Sequence, residues 1–230
     1  MNPQDIIRFL NELSAHNHKT WFDANRTWYQ EVKEEFTEFT MELIRLTAAF
    51  DPRCEGLSVA DCTYRIYRDT RFSPDKRPYK THMGAYVCPK GKKSGQAGYY
   101  FHLQAQDSDY LGGNMLAAGA YNPTKEELLS IREEIYDHPD AFKADLEQAL
   151  PFTLEAGGNG KLKKNPAGFA PDFPDMELLK YKSYCLSCAL TNEDLREPRL
   201  AERVTETFSH AHAFNERLNR AIDYAHDETL

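Results

Sequence analysis

The densest chemistry in this chain lies between Arg65 and His82, which reads Arg-Ile-Tyr-Arg-Asp-Thr-Arg-Phe-Ser-Pro-Asp-Lys-Arg-Pro-Tyr-Lys-Thr-His. Arg65, Arg68 and Arg71 are suited to forked contacts with a carboxylate or phosphate, which lysine cannot reproduce. Asp69 and Asp75 can hold those arginines in fixed orientations. Lys76 and Lys80 add point charges, Tyr79 a phenol and His82 an imidazole, so proton transfer is within the segment's repertoire. In extended backbone Arg65, Tyr67 and Asp69 point one way and Tyr64, Ile66 and Arg68 the other. Three readings stand side by side. The segment binds a small anionic ligand, with hydrolysis or group transfer on a phosphorylated molecule as the chemistry such a site could run. It contacts nucleic acid or protein. Or it is an ion-pair network that braces a loop.

Charge patterning marks the same place. The 230 residues carry a net charge of −8, yet the 29 residues from Arg65 to Lys93 carry nine basic and two acidic groups. The acidic average speaks against a broad polyanion-binding surface, and the local excess of +7 speaks for a compact anion site.

Other candidates are weaker. His102, in Gly-Tyr-Tyr-Phe-His-Leu from Gly98 to Leu103, shares strand parity with Tyr100 and opposes Phe101 and Leu103, so a polar Tyr100/His102 face could line a pocket beside the basic segment. Cys185 and Cys188 form a C-x-x-C, but on a strand residues three apart face opposite sides, and no second pair completes a zinc set. His210 and His212, expected in one last helix, diverge by about 200°. Gly157 to Leu162 resembles a phosphate loop but has Glu155 and Leu162 where glycine and Ser/Thr are needed, and reads as a loop or lid. Gly112-Gly113 reads as a bend that could also admit a ligand. Trp21, Phe22 and Trp28 read as helix-junction residues, with an aromatic ligand wall as the alternative. No metal set and no cofactor motif stands out.

These residues need a scaffold. Apolar residues recur at helical spacing over Ile6–Leu13 and in a stripe through Val32, Phe36, Phe39, Leu43, Leu46 and Phe50. From about Leu57 to Ala120 short β-rich runs replace them, at Cys62–Tyr67, Gly84–Cys88, Ala97–Gln106 and Tyr110–Leu116, divided by turn residues that include Asp107-Ser108-Asp109. Helices follow at Pro123 and Pro139, then a Gly/Pro-rich loop over about 155–175, a strand over Tyr181–Leu190, and a last helix opened by Pro198. Helices, strands and helices again, with one late strand, predict an α+β fold. A single domain spanning 1–230, an antiparallel sheet and flanking helices at both chain ends are expected. Five scattered cysteines, the absence of a leader pattern at Met1–Asp5 and the lack of a long apolar run predict a cytoplasmic chain with no membrane partner.

The run Arg65-Ile66-Tyr67-Arg68-Asp69-Thr70-Arg71-Phe72-Ser73-x-Asp75-Lys76-x-x-Tyr79 resembles the signature of domain-of-unknown-function family 2461, found mainly in bacteria and also in fungi. Trp21-Phe22-x-x-Asn25-Arg26, Gly98-Tyr99-Tyr100-x-His102 and Gly112-Gly113 extend the resemblance over nearly the whole chain. It implies a single-domain protein of about this length and carries no reaction, ligand or catalytic residue across. Cys185 and Cys188 depart from the family pattern, which weakens any cysteine-based mechanism.

Overall fold

Asn2 accepts the Gln4 N–H (3.2 Å) and Pro3 opens the first turn, so the chain enters a helix at once. The computed structural model describes residues 1–108, 110–156 and 160–227. Helix α1 spans Pro3–Ala15, α2 Lys19–Ala24 and α3 Arg26–Phe50. The stripe predicted on α3 is its inner face, with Val32, Phe36, Phe39 and Leu43 buried. A short helix α4 (Val59–Cys62) precedes strands β1 (His82–Val87), β2 (Gly98–Gln104) and β3 (Met115–Ala120). Helices α5 (Lys125–Asp137) and α6 (Pro139–Gln148), strand β4 (Thr153–Glu155), helix α7 (Met176–Leu179), strand β5 (Tyr184–Ala189) and helices α8 (Leu200–His210) and α9 (His212–Asp227) follow.

The five strands form one antiparallel sheet in the order β1-β2-β3-β5-β4, so the fold is α+β. Its two faces differ because side chains alternate. Ala85, Val87, Tyr99, Phe101, Leu103, Leu116, Ala118, Tyr184 and Leu186 point to one side and are buried. The helices pack there: Phe39 lies 4.8 Å from Phe101, Phe50 meets Tyr99 edge-on at 5.4 Å, and Phe142 meets Tyr184 edge-on at 6.1 Å. The second face carries His82, Gly84, Tyr86, Tyr100, His102, Gln104, Ala117, Cys185 and Ser187, placed together by the strand register.

Polar side chains seal the seams of this core. Asn219 receives the Ala97 N–H (2.7 Å) and donates to the Ala97 carbonyl (3.0 Å), pairing backbone that leads into β2. Arg217 of α9 donates to Glu134 (2.7 Å) and also pairs with Asp145, tying α9 to α5 and α6. Gly119 stands at φ +118° with the Tyr184 carbonyl only 2.0 Å from where a Cβ would lie, so no other residue fits there.

Several sequence expectations are corrected. Cys62–Tyr67 is not a strand: Ser58 and Asp61 form a capping box that winds the chain into α4, and Thr63 and Tyr67 make only single bridges, to Ala85 and Tyr79. Tyr110–Leu116 becomes strand only from Met115, because Leu111, Gly112 and Gly113 all take positive φ and leave the extended region. The last helix is two, broken at Ala211, with His210 ending α8 and His212 opening α9. Strand β4 went unforeseen, its three residues too few to show an alternation. Gly157, Gly158 and Asn159 of the expected lid, and Asp109 of the expected turn, lie outside the described residues.

Candidate functional site

The basic segment forms a narrow arm. Arg68 N–H bonds the Pro78 carbonyl (2.9 Å) and Lys80 N–H the Ile66 carbonyl (2.8 Å), so residues 66–68 and 78–80 run as a short ribbon with a loop at its tip. Within that loop the charges satisfy one another. Arg68 donates to Asp75 (2.6 Å) and to the Arg77 carbonyl (3.1 Å). Arg77 forks onto the same Asp75, whose carboxyl is held far below the usual range by that guanidinium first and by Arg68 as well. Arg71 forks onto Asp69 (2.6 Å), and Lys76 donates to the Thr70 carbonyl (2.9 Å). Tyr79 is in the core, 4% exposed and stacked 4.0 Å from Phe22. Five of the nine sequence-selected residues, Arg68, Asp69, Arg71, Lys76 and Tyr79, are thus engaged in shaping the arm.

The other four lie at the base of the arm or on the polar face of the sheet. Lys80 stands over the Tyr64 ring at 5.4 Å, and Lys92 approaches the same ring at 5.7 Å. Burial, with the charge of Arg65 added, pulls the Lys80 ammonium below its ordinary value. Among the described residues neither Arg65 nor Lys80 forms an ion pair; Asp69, which feels Arg65, is already clasped by Arg71. His82 opens β1 just beyond. It stacks on Tyr110 at 4.1 Å and lies 5.2 Å from His102.

His102 belongs to a hydrogen-bonded line along β2. The Gln104 amide donates to the Ser108 carbonyl (3.0 Å), so its oxygen faces His102 Nε2 (3.0 Å) and accepts from it. That fixes the proton on Nε2 and leaves Nδ1 to accept the Tyr100 hydroxyl (3.0 Å). Tyr100 can lie flat because Gly84 has no side chain; a Cβ there would stand 2.3 Å from the Tyr100 hydroxyl. Burial pushes His102 down to about 4 and, joined by the charges of His102, Lys80 and Arg68, pushes His82 down to about 3. Both imidazoles are therefore neutral near neutral pH, and Tyr100 is held protonated by burial. The arrangement is a neutral hydrogen-bonded line: the Tyr100 hydroxyl donates to His102 Nδ1, and Gln104 holds the ring in one tautomer.

Sequence parity found Tyr100 and His102. It missed Gln104, whose parity is the same, and Tyr64 and Tyr110, which reach the site from loops and carry no periodic signal. Cys185 and Cys188 sit opposite Gly119 and Leu116, on opposite faces of β5, and burial raises the Cys185 thiol to about 12. His210 bonds the Leu150 carbonyl and His212 faces the Tyr99 hydroxyl, so their rings part. Among the described residues no group of three or more His, Cys, Asp or Glu side chains is placed to hold a metal, and no helix is long and apolar enough to cross a membrane.

A family model described as conserved hypothetical protein (DUF2461) matches residues 5–216. The chain belongs to the DUF2461 family. The match takes in the arm, all five strands and the Tyr100–His102–Gln104 line, so the DUF2461 region contains every element of the site described above. No curated protein and no solved structure matches the chain.

Proposed function

We propose that this protein binds a small anionic ligand, carboxylate or phosphate in class, between Arg65 and Lys80, with His82 and the Tyr100–His102 pair alongside. The observation that carries this reading is the contrast in pairing. Arg68, Arg71 and Arg77 each have an aspartate, whereas Arg65 and Lys80 repel one another at the base of the arm without an ion-pair partner among the described residues. Two neighbouring cations beside a phenol ring gain most from an anion that bridges them. Because the arm's other charges are internally satisfied, the patch is small, which favours a compact ligand over a polyanion. The five free cysteines fit a reducing, cytoplasmic setting.

Titration with inorganic phosphate, followed by NMR at His82 and Lys80, tests the reading. Saturable shifts are expected, and the Arg65→Ala/Lys80→Met variant should weaken binding about tenfold or more. Arg71→Ala should bind as wild type does. Equal weakening by both variants, or no saturable shift, would overturn the proposal. So would tight binding of a single-stranded oligonucleotide with steep salt dependence at the same residues, which would make the arm a nucleic-acid module.

A further inference from the structure

A concavity lies between α1 and α3, with Trp21 of α2 at its edge. Its volume is about 550 Å³, and its walls include Trp21, Trp28, Asp5, Glu12, Glu31 and Glu35, with Val32 on the floor. We propose that this cleft binds a small organic cation of the quaternary-ammonium class.

Three independent observations converge. First, the indoles are fixed: Phe9 meets Trp28 edge-on at 5.3 Å and Trp21 at 6.1 Å, and His16 stacks on Trp21 at 5.7 Å. Rigid indole faces are the best side-chain surface for a cation. Second, the exposed Arg8 guanidinium stands 5.2 Å over the Trp28 ring, so this ring already attracts a cation, and a ligand taking the same face displaces Arg8 into solvent. Third, charge is in excess. Arg8 pairs with Asp5 (2.9 Å) and is the cleft's one lysine or arginine, against four carboxylates among its lining residues. Glu35 accepts the Asn2 N–H (2.7 Å) and Glu12 faces His16 at 3.6 Å, while Glu31 makes no ion pair among the described residues. The carboxylates are dispersed along two helices rather than grouped, and no metal set forms here. An alkylated ammonium group, large and weakly hydrated, matches aromatic walls with spread negative charge better than a compact metal ion does.

Both tryptophans of the chain line the cleft, so emission excited selectively at tryptophan, clear of the 13 tyrosines, reports on it. Choline and its uncharged isostere 3,3-dimethylbutan-1-ol are the probes, titrated into the full chain. Choline is expected to change the emission saturably below ~10 mM, and the isostere to leave it unchanged. Glu31→Gln should weaken choline about threefold or more, and Trp28→Leu should abolish the saturable response of Trp21. Circular dichroism checks that both variants fold. Equal responses to the two probes, no saturation in that range, or an unaltered affinity in Glu31→Gln would overturn the proposal. A lysine-rich peptide that saturates the signal where choline does not would also overturn it, in favour of a protein partner. None of these outcomes bears on the anion site, which shares no residue with this cleft.

Discussion

Lowering the pH from about 7 to about 4.5 should cost this fold about 2 kcal/mol through His102 alone. The side chain is fully buried and burial pushes it down to about 4, against an ordinary value of 6.5. The unfolded chain therefore takes up this proton first. The contribution is intact above about pH 6.5 and drains away as the pH falls towards about 4. The structural cost is specific: a second proton must go onto Nδ1, which faces the Tyr100 hydroxyl at 3.0 Å, so that hydroxyl must turn and lose its acceptor. Carboxylates also titrate in this range, so the measurement is a difference between wild type and His102→Gln. Glutamine fills the site without ionising. Across that interval the wild-type melting temperature should fall by roughly 4–8 °C more than that of the variant. His82 pulls in the same direction and remains in both chains. Parallel melting curves against pH would refute the reasoning, as would an imidazole nitrogen spectrum showing His102 doubly protonated at about pH 5.5.

Two further outcomes follow from packing. Gly84→Ala should push the Tyr100 ring off His102, costing about 1–3 kcal/mol in denaturant unfolding and raising the His102 pKa in an NMR titration as water enters. Asn219→Ala strips the partners from the Ala97 N–H and carbonyl, and should cost about 2–4 kcal/mol with faster amide exchange at the start of β2.

What the sequence revealed was whatever repeats along it. The α3 stripe and the Phe101/His102 alternation could be read because a helix or strand imposes a period on its own residues. The Arg68–Asp75 pairing was legible as a class of contact because oppositely charged residues close in sequence commonly meet around a turn. The meeting of His82 with His102 was not legible. It depends on the β1–β2 register, in which Gly84 rather than His82 stands directly opposite His102, and on Tyr110 returning from a loop to stack on His82. The role of Gln104 depends on one carbonyl, that of Ser108, which selects which end of its amide faces the histidine. The acidic cleft was half legible: Trp21 and Trp28 offered an aromatic wall as one alternative, whereas Asp5, Arg8 and Glu12 carry no signal until α3 supplies the opposite wall.

The ends of the sheet have a bearing on how this chain behaves when crowded. One border is β1, six residues long, and the bridge from Thr63 to Ala85 already occupies part of its free side. The other border is β4, which stops after three residues and finishes on Glu155. A neighbouring molecule seeking to extend the sheet thus finds one border partly taken and the other too short and charged to template a long pairing. The sheet thus stays a closed unit of five strands, its hydrogen-bonding borders poorly suited to fibril growth.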